Sequence, residues 1–126
     1  MFERLDSRSP TPLYAQIAER LRAAIVTREL SPAEALPSVR QLAASLRVNP
    51  ATVVQAYREL EAEGFIEMRQ GAGTFVREVS PVQRSAERDR QATELVRRLL
   101  ADAARLGLSS RDVITAVERE LGEKVR

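Results

Sequence analysis

Residues 38–64 read Ser38-Val39-Arg40-Gln41-Leu42-Ala43-Ala44-Ser45-Leu46-Arg47-Val48-Asn49-Pro50-Ala51-Thr52-Val53-Val54-Gln55-Ala56-Tyr57-Arg58-Glu59-Leu60-Glu61-Ala62-Glu63-Gly64, and this stretch decides the fold. Ser38 and Gln41 have capping-box spacing, and Val39, Leu42, Ala43 and Leu46 make one apolar face, so a short helix begins at Ser38. Arg47-Val48 leaves room only for a tight turn. Asn49-Pro50 reads as an N-cap followed by a first-turn proline, because proline disfavours helical geometry in the residue before it. Val53, Tyr57 and Leu60 form the buried stripe of this next helix, which runs from Pro50 to Glu63, and Gly64 supplies a left-handed stop. A helix pair with so short a turn is held at a steep angle.

Upstream, residues 1–11 read as a flexible lead-in. Thr11 is expected as N-cap and Pro12 as first residue of a helix reaching about Thr27, with Leu13, Ile17, Leu21 and Ile25 recurring every four residues. Leu30-Ser31-Pro32 marks its exit, and the segment to Pro37 is expected as a loop. Downstream, Phe65–Arg69 and Thr74–Arg77 alternate in polarity around Gln70-Gly71-Ala72-Gly73, which predicts a two-stranded hairpin with a glycine-rich tip. A lone hairpin is marginal in water, so it must pack on the helices. Helix, loop, short helix, tight turn, helix, hairpin is the order of a winged helix-turn-helix, expected over residues 12–79. The fold class is mainly α with a small β-hairpin, followed by a two-helix C-terminal element.

That element, residues 80–126, is charged and glycine-poor. Ala92, Leu95, Val96, Leu99, Leu100, Ala103 and Ala104 follow helical spacing, and Leu106-Gly107-Leu108 ends the helix. Ser109 or Ser110 caps another helix carrying Val113, Ile114, Val117 and Leu121. Two such helices cannot bury their apolar faces alone. Pairing with the same helices of a second subunit is the expected solution, through Leu95, Val96, Leu99, Leu100, Ala103, Val113, Ile114, Val117 and Leu121. The alternative is that they fold back on the N-terminal domain of the same chain.

Composition narrows the chemistry. The 126 residues include no cysteine and no histidine, which removes disulfides, thiolate metal sites and the commonest general base near neutral pH. No metal and no cofactor is expected; Asp102, Asp112, Glu118 and Glu120 read as solvated positions. No apolar run approaches the roughly 18 residues of a membrane helix. The first residues lack the basic-then-apolar order of a signal peptide, so a cytoplasmic location is expected. Formal net charge is only +2, but its distribution is uneven. Ala35 to Arg58 contains no acid and includes Arg40, Arg47 and Arg58; Met68 to Arg77 contains none and includes Arg69 and Arg77. Phosphate contact requires such local positive surface. Asn49, Ala51, Thr52 and Gln55 are small or uncharged groups able to lie against base edges, while Glu59, Glu61 and Glu63 sit at the far end of the helix. This polarity favours docking with the N-terminus toward DNA.

The chain resembles the DNA-binding domain of the GntR family of bacterial regulators over residues 12–78. The matching stretches are Pro12-Leu13-Tyr14 with Gln16-Ile17, Leu36-Pro37-Ser38-Val39-Arg40-Gln41-Leu42-Ala43, Val48-Asn49-Pro50-Ala51-Thr52-Val53, Ala56-Tyr57-Arg58-Glu59-Leu60-Glu61, Glu63-Gly64-Phe65-Ile66 and Arg69-Gln70-Gly71-Ala72-Gly73-Thr74-Phe75-Val76. The Asn-Pro-Ala-Thr opening and the short helical tail are similar to the YtrA-like subgroup. The resemblance implies a homodimeric repressor on a near-palindromic operator of duplex DNA, in a transport-linked operon. It assigns Arg40 to the phosphate backbone, the first turn of the Pro50 helix to the major groove and the hairpin tip to the minor groove. The candidate contacts are Ser38, Arg40, Arg47, Asn49, Pro50, Ala51, Thr52, Gln55 and Arg58, with Arg69, Gln70, Gly71, Ala72, Gly73 and Thr74 on the hairpin. Many relatives carry arginine early in this helix and a basic residue at the wing tip, where this chain has Pro50, Ala51 and Ala72. Thr52, Gln55 and DNA shape must then supply more of the specificity. No side-chain cluster identifies a small-molecule effector.

Two other function classes fit these residues less well. A protein-interaction module has no need to exclude carboxylates from Ala35 to Arg58. A related branch fuses this domain to an aminotransferase-like domain that uses pyridoxal phosphate, which needs several hundred residues and a cofactor lysine; the lysine here is Lys124, near an end.

Overall fold

The computed structural model describes residues 5–125. In chain order they form α1 (Leu13–Val26), β1 (Ala35–Leu36), α2 (Val39–Leu46), α3 (Pro50–Ala62), β2 (Ile66–Arg69), β3 (Gly73–Val76), α4 (Pro81–Arg105) and α5 (Ser110–Leu121). The chain divides into two units, one ending at Glu87 and the other beginning at Arg88.

In the first unit, α1 packs on α3 and α3 on α2. Ile17, Leu21, Val53, Tyr57, Leu60 and Ile66 are its largest fully buried side chains. Each removes apolar surface worth about 1.5–3 kcal/mol from water. The local signals behave as read: Ser38 and Gln41 form the reciprocal capping box of α2, and Asn49 caps α3 with Pro50 in its first turn. The turn between them is a Schellman closure. The Val48 N–H donates to the Ala43 carbonyl and the Arg47 N–H to the Ala44 carbonyl. Arg47 takes the left-handed position of this motif at φ 58 and ψ 47, where glycine is the usual occupant.

The structure corrects four local expectations. The hairpin is not two-stranded: the segment expected as a loop contributes β1, giving an antiparallel sheet of order β1-β3-β2 with Ala35 opposite Phe75 and Leu36 opposite Thr74. Two residues are too few to show alternation in sequence, yet they cover one edge of an otherwise marginal ribbon. Next, α1 starts at Leu13 with Pro12 as its cap residue and no side-chain cap from Thr11. Gln16 serves instead, donating to the Thr11 and Asp6 carbonyls and accepting from the Asp6 N–H. Residues 5–11 of the expected flexible lead-in are therefore tied to α1, and Leu5 packs on the core; residues 1–4 lie outside the described residues. Lastly, α4 begins at Pro81, well before the apolar stripe at Ala92. Ser80 and Gln83 bond reciprocally in capping-box geometry ahead of it, at 3.1 Å each way.

The opening turns of α4 carry Glu87 into the first unit, where it is buried beside Arg22. Arg22 is itself 6% exposed. Its guanidinium meets Glu63 at 2.6 Å, Glu59 at 3.7 Å and Glu87 at 3.9 Å, and lies 5.9 Å from the Phe65 ring centroid. Removing one partner of such a buried group leaves uncompensated charge, so the set holds α1, α3 and the start of α4 together as a unit.

The second unit opens with the rest of α4. Gly107 closes that helix in another Schellman motif, with the Leu108 N–H on the Ala103 carbonyl. The cap of α5 is Ser109, paired reciprocally with Asp112; these bonds, first to the Ser109 backbone and then to its hydroxyl, hold the Asp112 carboxyl below the usual range.

Tyr57 links α3 to the entry of α2 through a 2.7 Å bond from its hydroxyl to the Pro37 carbonyl. Burial pushes this phenol from 10.0 up to about 12. The neutral form is the one the fold accepts. Its contribution is whole below pH about 10 and disappears as pH climbs through about 12. Tyr57→Phe should cost about 1 kcal/mol at neutral pH. It should also flatten the stability loss in that alkaline window, as followed by urea unfolding at stepped pH. An unchanged alkaline slope would contradict the assignment.

Candidate nucleic-acid interface

Burial of Val53, Ala56, Tyr57 and Leu60 fixes which face of α3 looks outward. The opposite stripe is Ala51, Gln55 and Arg58, spaced i, i+4, i+7, and all three are exposed. Pro50 and Asn49 are exposed at the helix start, and Thr52 beside them is half-buried. The Asn49 side-chain oxygen accepts the Ala51 N–H at 2.9 Å, which leaves its amide N–H groups for a ligand. Ser38 is committed in the same way: its oxygen accepts from the Gln41 N–H, and only its hydroxyl proton is left to donate.

Charge follows the same division. Arg40, Arg47 and Arg58 are exposed, and none has an ion-pair partner among the described residues. The acids at the far end of α3 are occupied elsewhere. Glu59 and Glu63 face Arg22, and Glu61 accepts the Met68 N–H at 2.7 Å. The positive face is therefore not neutralised by its own helix, and its arginines are open to an external anion.

The wing is built from β2 and β3. Arg69, Gln70, Gly71, Ala72 and Gly73 are exposed and Thr74 is half-buried. The Ala72 N–H closes a turn on the Arg69 carbonyl at 3.0 Å, with Gly71 at φ +78, the third-position geometry that favours glycine. Gly73 belongs to β3, opposite Arg69, so the tip is shorter by one residue than the sequence suggested. Arg69 differs from the arginines of the helix pair: it is 3.3 Å from Glu67 and 4.6 Å from the Phe75 ring centroid. Sequence reading missed Glu67 and Phe75 as partners. The signal was present in strand alternation, which puts residues 67 and 69 on one face.

In the second unit, Leu95, Val96, Leu99 and Leu100 are 61%, 51%, 47% and 39% exposed, and Leu121 is also exposed. Val113, Ile114 and Val117 are half-buried. Ala103 departs from the expected contact set: it is buried within the chain near the α4–α5 corner, so it offers nothing to a partner.

A helix pair with one exposed, acid-free face and an adjoining β-wing defines a winged helix-turn-helix DNA-binding protein. Residues 13–76 match the family model described as bacterial regulatory proteins, gntR family, and the chain belongs to the GntR family. It is 36% identical over 104 residues to the HTH-type transcriptional repressor YtrA of Bacillus subtilis, covering 82% of this chain and 80% of that protein. A GntR family transcriptional regulator from Listeria monocytogenes has a similar structure, with 30% identity, a TM-score of 0.67 and coverage of 88% of this chain and 96% of that one. The structure of the AraR DNA-binding domain in complex with operator ORE1 is 30% identical with a TM-score of 0.51, covering 58% of this chain and 89% of that one. The protein is thus a DNA-binding transcription regulator and not an enzyme. No helix among the described residues is long and apolar enough to cross a membrane.

Arg47 gives a separation of stability from binding. A non-glycine residue at positive φ is strained by about 1–2 kcal/mol. Arg47→Gly should leave thermal stability equal or raise it by up to about 1 kcal/mol. It should at the same time weaken DNA binding in a mobility-shift titration. Full retention of affinity would remove Arg47 from the contact set.

Proposed function

We propose that this regulator is a homodimeric repressor that binds a near-palindromic operator, placing the first turns of α3 in the major groove and the wing along the adjacent minor groove. The observation that carries the reading is the exposed start of α3 flanked by Arg40, Arg47 and Arg58, none of them ion-paired among the described residues. Arg40, Arg47 and Arg58 supply phosphate contacts, which set register and affinity without reading sequence. Asn49, Pro50, Ala51, Thr52 and Gln55 face the base edges. With no arginine at positions 50 and 51, discrimination comes from Thr52, Gln55 and the deformability of the site. The likeness to YtrA-type regulators supports a transport-linked operon as target, and the cytoplasm as the place of action.

The tail supports the dimer. Leu95, Val96, Leu99 and Leu100 form a continuous exposed apolar stripe on α4, and a symmetric partner presenting the same stripe buries both. Two-fold symmetry then calls for half-sites a whole number of DNA turns apart.

Selection of bound sequences from random duplex DNA tests the reading directly, with paired half-sites of fixed spacing as the expected result. Arg40→Ala should weaken selected and random duplexes equally and lower the salt slope by about one. Thr52→Val should relax base preference with little change in non-specific affinity. A loss from Arg40→Ala confined to one base pair, or an unchanged logo for Thr52→Val, would reverse those roles.

The full-length double variant Leu95→Asp/Leu99→Asp should sediment as a monomer, keep a cooperative unfolding transition and bind the operator at least about tenfold more weakly, since avidity is lost. Persistence of the dimer would move the interface to another surface.

A further inference from the structure

We propose that Arg69 is the cation by which the wing grips a DNA phosphate, and that Glu67 is its resident counter-ion, a carboxylate that the phosphate displaces on binding. The inference rests on the DNA-binding reading above and adds a residue that opposes it. Between Met68 and Val76 the one charged residue is Arg69; the tip itself, Gln70-Gly71-Ala72, is neutral. Arg77 stands at the base of the hairpin, so at the tip end any electrostatic hold on a duplex passes through Arg69.

The hairpin register explains how it is held. Glu67 pairs with Phe75 and Arg69 with Gly73, so all four positions share one face of the ribbon. Gly73 has no side chain, and the Phe75 ring leans across it: a Cβ at this position would stand 3.6 Å from the ring's Cζ. The planar guanidinium of Arg69 lies over that ring, 4.6 Å from its centroid. Its Nη2 reaches the Glu67 Oε2 at 3.3 Å. Ring and carboxylate together fix the arginine in one place at the base of the tip. Both charged side chains are about half exposed, so the pair adds little to folding stability. An exposed pair of this kind is easily exchanged for another anion. The stacking on Phe75 needs a flat cation and survives the exchange, whereas the Glu67 contact does not. Glu67 thus sets a threshold on wing engagement: it competes with every phosphate that approaches, whatever the base sequence.

The test is a double-mutant cycle in the full-length protein, titrated against a fluorescent duplex of random sequence and against a selected operator, at several salt concentrations. Glu67→Gln should tighten binding to both duplexes by about three- to fivefold at low salt, the size expected for freeing one exposed ion pair. In an Arg69→Gln background the same change should have almost no effect. Arg69→Lys, which keeps charge but loses the flat stack, should bind more weakly than wild type and respond less to Glu67→Gln. Equal tightening by Glu67→Gln with and without Arg69 would mean simple repulsion by a bare carboxylate and would overturn the proposal. So would no tightening at all. Thermal unfolding of each variant should stay within a few degrees of wild type, as both side chains are about half exposed. Binding by the wild type that depends on Arg40 but ignores Glu67 would sink this inference alone. Failure of the wild type to bind any duplex would sink the DNA-binding reading with it.

Discussion

One face of α3 is sealed against α1, and the rest of the protein follows from that. Val53, Ala56, Tyr57 and Leu60 have no solvent exposure, so the helix cannot rotate, and Ala51, Gln55 and Arg58 must look outward. Arg22 completes the arrangement from below. A buried guanidinium costs desolvation energy that only close carboxylates offset, and it recovers that energy by drawing in Glu59, Glu63 and Glu87. The same act clears negative charge from the neighbourhood of the outward face. A device that reads at first as core stabilisation thus also shapes the field a phosphate backbone meets.

Much of this was legible in the residues. The capping box at Ser38 and Gln41, the Asn49-Pro50 helix start and the Gly64 stop each rest on interactions within four residues of chain, which is why they could be placed from sequence. The buried stripe of α3 followed from its period. What escaped notice depended on distant partners or on polar groups. The strand β1 exists because residues 35 and 36 meet residues 74 and 75, and a two-residue run has no period to read. Gln16 replaces Thr11 at the start of α1 through bonds that reach back ten residues to Asp6. The Ser80–Gln83 box has the same form as the one at Ser38, but the charged sequence around it hid a helix whose first turns carry no apolar stripe.

At the interface itself, legibility was partial for a chemical reason. Sequence placed Ser38 and Asn49 among DNA contacts, and the structure shows both with their oxygens already used as caps. Each can still donate, so the capping bond leaves a donor for a ligand in the same side chain. Arg69 was visible as a basic residue in an acid-free run, and alternation puts Glu67 on its face, but its contact with Phe75 needed the register of the ribbon. The exposed leucines of α4 show the opposite case. Their spacing announced an apolar stripe, while the fact that the single chain leaves it in water came from the three-dimensional structure.

Three of the helices, α2, α4 and α5, start with a serine exchanging bonds with the residue three places on. Such a start fixes the first turn with no help from distant chain, which lowers the barrier to helix nucleation. Chain entropy then weighs on the long-range steps, such as joining β1 to β3 across a loop of about forty residues. In kinetic terms the helices are early and cheap, and the pairing of β1 with β3, which covers one edge of the wing, belongs with the later long-range contacts.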